Sequence, residues 1–238
     1  MRAVKKLIPV YVLSLAIALG AAFLTSGSVV LLSEAMALPA EAQSPTVVLD
    51  PGHGGEDGGA VAPDGVKESA INLEQSLRLR DLLRFLGVSV VMTRESDVSI
   101  CGPEAVTVSE KKVSDLKNRV RLTKETPNAL LLSIHQNMFS ESKYKGAQVF
   151  YAATQGSREL AERLQAILGA KVDPGNHRKA KVCLTAYLLK NVPCTAVLVE
   201  CGFLSNPEEA RRLQTEAYQK LLAAAIAAGL TEHLAYQQ

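Results

Sequence analysis

The chain has no tryptophan, and only five Phe and six Tyr among its 238 residues. So sparse an aromatic set excludes the stacking platforms on which single-stranded nucleic acids are held. Charge of one sign is lacking too: 26 basic against 24 acidic side chains leave a formal +2, too little to draw a polyanion. Cysteine is scarce, and Cys101, Cys183, Cys194 and Cys201 include no CxxC pair, which excludes a compact zinc knuckle. These thiols permit up to two disulfides, or are simply small buried side chains. Cys194 and Cys201 flank one strand and point to opposite ends of it, so they suit each other poorly. Internal repeats and low-complexity tails are also absent.

Long apolar runs are missing with one exception. Residues 7–32 carry no charge, follow Arg2, Lys5 and Lys6, and precede the small-residue steps Ala35-Met-Ala37 and Ala40-Glu-Ala42. That is the pattern of a secretory signal, and the run is also long enough to cross ~30 Å of hydrocarbon as an anchor. The sequence therefore predicts residues 1–42 as a signal peptide or N-terminal membrane anchor. Residues 43–238 are predicted as a single exported domain, touching a membrane only through that segment and binding no nucleic acid.

What the chain does have is alternation. Apolar, β-branched runs at 46–49, 88–92, 129–134, 147–151 and 195–199 alternate with helical patterns at 69–86, 114–125, 157–168 and 207–233. Residues 94–112 and 173–181 read as surface loops. The pattern predicts an α/β fold: a single domain with a largely parallel sheet and helices on both faces. In such sheets ligands bind beyond the carboxyl ends of the strands.

Residues 50–59, DPGHGGEDGG, are half glycine around one imidazole. Such a loop either cradles a phosphate through its backbone or holds His53 as a metal ligand. No Gly-Lys-Ser/Thr end follows, and Asp50, Glu56 and Asp57 would repel an anion. Other strands deliver His135 and Glu200 to the same rim, and Glu68 opens the first helix there. Two imidazoles and a carboxylate are a plausible set for catalytic Zn²⁺, with a second carboxylate left over as general base. His177 and His233 read as surface residues, and Arg78, Arg80 and Arg84 as a solvated helix face.

The stretches DPGHGGEDGGA (50–60), ESAINL (68–73), SIHQN (133–137) and LVECGFLSN (198–206) resemble, in order, the four motifs of zinc-dependent N-acetylmuramoyl-L-alanine amidases. The resemblance spans residues 46–234. With no appended wall-binding repeats, and with HRKAK (177–181) before AYLLK (186–190), the chain is most similar to the sporulation, spore-cortex germination branch. The resemblance implies one Zn²⁺ per chain on His53, Glu68 and His135, with Glu200 as the catalytic carboxylate. The bond cut is then the amide between N-acetylmuramic acid and L-alanine in peptidoglycan, in cortex maturation as the first step toward muramic lactam. Asp50 is expected to fix the loop or orient His53, and Asn137 to position substrate or close a turn. The implied location is the cell envelope or forespore intermembrane space. The short connection at 136–145 leaves no room for a long blocking helix, so regulation would fall to a partner protein. Two alternatives are a zinc carboxypeptidase, whose His-x-x-Glu spacing is not evident, and a wall-binding module without catalysis, which has no need of Glu200.

Overall fold

β-Branched and apolar residues build the first strand, β1 (Thr46–Pro51), which opens the part of the chain that the computed structural model describes, residues 45–236. The predicted signal or anchor at 1–42 lies outside the described residues. After β1 come α1 (Glu68–Phe85), β2 (Val90–Met92), α2 (Val108–Glu125), β3 (Ala129–Asn137) and β4 (Gln148–Tyr151). Then follow α3 (Ser157–Lys171), β5 (Lys181–Val182), α4 (Tyr187–Asn191), β6 (Ala196–Phe203), α5 (Pro207–Leu213) and α6 (Glu216–Ala235).

Among the described residues, six strands form one sheet in the order β2-β1-β3-β6-β4-β5. All neighbours are parallel except β4, which runs antiparallel to β6. The predicted α/β class and largely parallel sheet are therefore what the chain adopts. The strand period of two divides the core. Val47, Leu49, Leu130, Leu132, Val197 and Val199 face the larger cluster, with α1, α3 and α6. Val48, Leu131 and Ala196 face a smaller one, with Val120 of α2 and Leu188 and Leu189 of α4. By the same period Asp50, Ser133, His135 and Glu200 belong to the smaller cluster's face, beyond its apolar end. In register, Asp50 lies beside Ser133, and His135 beside Glu200.

Several boundaries differ from the sequence reading. α2 begins six residues before the predicted 114, because a capping box joins Thr107 and Glu110 and so starts a helix whose first turns carry few apolar residues. The predicted loop at 94–112 therefore ends at Thr107. β6 runs to Phe203, which places Glu200 inside the strand rather than at its end. The short elements β5 and α4 were not read as such. His233 is buried in α6, not on the surface, because that alanine-rich helix is packed against α3 and α1. Close packing is visible at Gly229, where an added Cβ would lie 2.8 Å from Leu164 Cδ2. Arg80 is not a free surface cation either: it meets Asp81 at 2.8 Å and Glu95 at 2.7 Å. Among the described residues no helix is long and apolar enough to cross a membrane, and none of the four cysteines is disulfide-bonded.

Candidate active site

The glycine loop leaves β1 at Pro51, and His53 sits in it with φ +61°, a left-handed conformation uncommon for any residue but glycine. Two buried arginines hold that backbone in place. Arg94, just after β2, donates to Pro51 O, Gly52 O and Ser69 O at 3.0, 3.0 and 2.8 Å. Arg119, from α2, donates to Pro51 O at 2.8 Å and His53 O at 2.7 Å. The Arg119 guanidinium is itself held by Asp50 and Asp115, each at 2.6 Å. Burial and the Arg119 charge together push Arg94 down to about 10.

The glycines answer to the side chains that crowd in. A Cβ on Gly52 would lie 2.2 Å from His135 Nε2, and one on Gly59 (φ +66°) 2.5 Å from Glu68 Oε2. Neither position has space for a methyl group. The loop is therefore poor in side chains where His53, Glu68 and His135 meet.

Those three residues form, among the described residues, one group whose donor atoms all lie within 4.8 Å of one another. His53 Nε2 is 3.3 Å from Glu68 Oε2, and His135 Nδ1 is 2.9 Å from Glu68 Oε1. The two imidazole rings stand edge to face, 5.0 Å between centroids. Glu68 is buried at the first turn of α1, where the helix dipole favours a carboxylate. It accepts from Ala60 N, Asn72 Nδ2 and Gln136 N at 2.9, 3.2 and 3.1 Å. Burial opposes its charge, but His135 and His53 outweigh that and hold it well below the usual carboxylate range. Burial likewise works against a charged His53, yet Glu68 and Asp57 raise it above its ordinary value. The other face of His53 is taken: its Nδ1 meets Asp57 Oδ2 at 2.9 Å. An imidazole fixed through one nitrogen presents the other, as histidine metal ligands do.

Glu200 stands beside His135 on the neighbouring strand. Its Oε2 is buried with no protein hydrogen-bond partner among the described residues. Burial pushes its pKa up to about 7, against the pull of His135 and with the Glu68 charge adding to the rise. Delivered to the rim by β6, this carboxylate keeps one buried oxygen without a protein partner among the described residues. β6 continues past it, and Glu200 is partly buried, with this oxygen covered. Two imidazoles, one strongly ionised carboxylate and an unsatisfied carboxylate oxygen next to them fit a divalent cation.

The structure brings His53, Glu68 and His135 together and sets Glu200 beside His135 on the neighbouring strand. Asp50 fixes the loop: it accepts from Arg119, Thr93 at 2.7 Å and Ser133 at 2.6 Å, while the carboxylate on His53 is Asp57. Asn137 follows a bulge in β3 and lines a cavity with Phe139, Tyr144, Gln148, Arg178 and Phe203. Sequence reasoning missed Asp57, Arg94 and Arg119. The i, i+4 spacing of His53 and Asp57 carries no meaning outside a helix, and nothing marks an arginine in a polar helix as buried.

Residues 47–232 match the family model described as N-acetylmuramoyl-L-alanine amidase. The germination-specific N-acetylmuramoyl-L-alanine amidase of Bacillus subtilis (strain 168) is 39% identical over 188 residues, 79% of this chain and 78% of that protein. AmiA of Escherichia coli (strain K12) is 28% identical over 231 residues, 79% of this chain and 75% of that protein. Among solved structures, the CwlD amidase from Clostridioides difficile in complex with the GerS lipoprotein aligns with a TM-score of 0.78. It is 41% identical and covers 81% of this chain and 99% of that one.

Proposed function

The chain belongs to the N-acetylmuramoyl-L-alanine amidase family, and from that premise we propose that His53, Glu68 and His135 hold one Zn²⁺ and that Glu200 moves the proton. The observation that carries this reading is the set of three converging donors beside an unsatisfied carboxylate oxygen. Membership makes the chain an amide hydrolase of peptidoglycan, cutting between N-acetylmuramic acid and L-alanine. Zn²⁺ would suit a His₂Glu donor set and, when bound, would act as a Lewis acid and lower the pKa of water. The rest of the chemistry belongs to the side chains. Glu200 takes a proton from the attacking water and returns it to the L-alanine nitrogen as the C–N bond breaks. Its burial raises its proton affinity, which strengthens it as a base. Asp57 holds His53 by Nδ1, Glu68 and Gly52 fix the His135 ring, and the Arg94–Arg119 clamp keeps the loop in register with both.

The biological setting follows from likeness to the germination-specific relative: action on spore cortex, as the first step toward muramic lactam, by a domain spanning residues 43–238 and exported to the envelope or forespore intermembrane space. CwlD was solved with the GerS lipoprotein, and residues 138–147 carry no helix that would cover the site. We extend to this chain a regulatory partner protein of the sporulation pathway. Purified peptidoglycan tests the reading. New L-alanine amino groups should appear with the enzyme, cease after exhaustive chelation and return with Zn²⁺. Release that survives chelation contradicts it.

A further inference from the structure

A cavity of about 260 Å³, lined by Asn137, Gln148, Arg178 and three aromatic rings, has no part in the chemistry above. Gln148 of β4 lies opposite Glu200 in the antiparallel register, and Asn137 lies two residues beyond His135. Two residues of its lining, Gln148 and Asn137, are therefore strand neighbours of Glu200 and His135. Phe139 and Tyr144 stand edge to face at 4.8 Å, and Tyr144 is 6.4 Å from Phe203. Over Phe203, at 4.6 Å, sits the guanidinium of Arg178, from the HRKAK tract. Arg178 Nε donates to Lys145 O at 2.8 Å and Nη1 to Gln148 Oε1 at 3.1 Å. Its Nη2 has no protein acceptor among the described residues.

The walls are fixed. Buried Glu209 accepts from Gly146 N at 2.9 Å and Phe203 N at 2.8 Å, and Asn206 Nδ2 donates to Ser142 O at 2.8 Å. The nearby acid Glu141 is neutralised by Lys143. A rigid aromatic floor alone would suit a sugar face. The guanidinium decides otherwise: a planar fork with unused donors, backed by a ring, selects a carboxylate. Arg178 reaches Gln148, the residue one strand spacing across the sheet from Glu200.

We propose that Arg178 and its aromatic floor receive the free carboxylate of the residue after L-alanine in the stem peptide, making Arg178 a specificity determinant. This rests on the amidase reading and adds which end of the groove takes the peptide.

The test uses one purified peptidoglycan before and after enzymatic amidation of the second stem residue, at substrate well below saturation. Initial release of L-alanine amines is measured for each. The wild-type enzyme is expected to favour the free acid ~10–10²-fold, the range for a hydrogen bond to a charged group. Arg178→Gln should bring that ratio to about one, and Arg178→Lys, which keeps charge but not the fork, should fall between. Equal wild-type rates on both preparations overturn the assignment. So does an unchanged ratio in Arg178→Gln or, should that variant not fold, in Arg178→Lys. A wild-type enzyme that cuts neither preparation contradicts the amidase reading itself.

Discussion

Gly59 illustrates how the site is written at the level of single residues. Its φ is +66°, and an added Cβ would lie 2.5 Å from Glu68 Oε2 and 2.7 Å from His53 Cδ2. Alanine there has to displace two proposed ligands at once. Gly59→Ala is expected to fold with a stability loss above ~1 kcal/mol and to carry markedly less metal after gel filtration, measured by elemental analysis. Metal content equal to wild type contradicts this account of the loop. The proposed ligands were legible in the sequence because Glu68 and His135 stand at a predicted helix start and strand end and His53 in the glycine loop. Asp57 was not, since contact with His53 depends on the loop curling back through Gly54, whose N–H meets Asp57 O at 2.8 Å. Asp50 looked like a neighbour of His53 by number, but a strand residue points where the pleat sends it, toward Ser133 and Arg119.

Among the elements, α2 does more for the site than its polar sequence suggests. Through Arg119 it ties Asp50, Pro51 and His53 into one network, with the guanidinium 2% and Asp50 1% exposed. Removing one member strands a buried charge, so Arg119→Met is expected to cost ~3–5 kcal/mol, read as a lower urea midpoint with unchanged slope. A shift under ~1 kcal/mol would mean that the pair is not held as the distances indicate. The strands and long helices were legible because burial imposes its period on them. The start of α2 was not: Thr107 and Glu110 supply a capping box, but the residues between and after them are exposed and lack an apolar period. The two-residue β5 and five-residue α4 are too short for any period to register.

For the molecule as a whole, the proposed metal would couple folding to pH. In the metal-free protein His53 is raised above 6.5 by Glu68 and Asp57, against the effect of burial. That pairing therefore stabilises the fold fully below the unfolded value and is lost as pH rises through the folded one. Metal binding needs the neutral imidazole and runs the other way. The gap in Tm between metal-loaded and chelated protein should widen from about pH 5.5 to about pH 8. A gap that narrows over that range would contradict coordination by His53. The overall architecture was readable from alternation of strands and helices. The reversal of β4 was not, because a four-residue strand, Gln-Val-Phe-Tyr, reads the same in either direction.

The central claim is that Glu200 acts on protons while Glu68 holds metal, and two conservative variants separate these roles. Glu200→Gln keeps shape and hydrogen bonding but not basicity. It should lose at least ~10²-fold in the rate of L-alanine amine release while retaining a full complement of Zn²⁺ by elemental analysis. Glu68→Gln, assayed beside it, should lose metal and recover part of its activity when Zn²⁺ is added. The contrary result, metal lost from Glu200→Gln and kept by Glu68→Gln, would mean that the two carboxylates have been assigned the wrong way round.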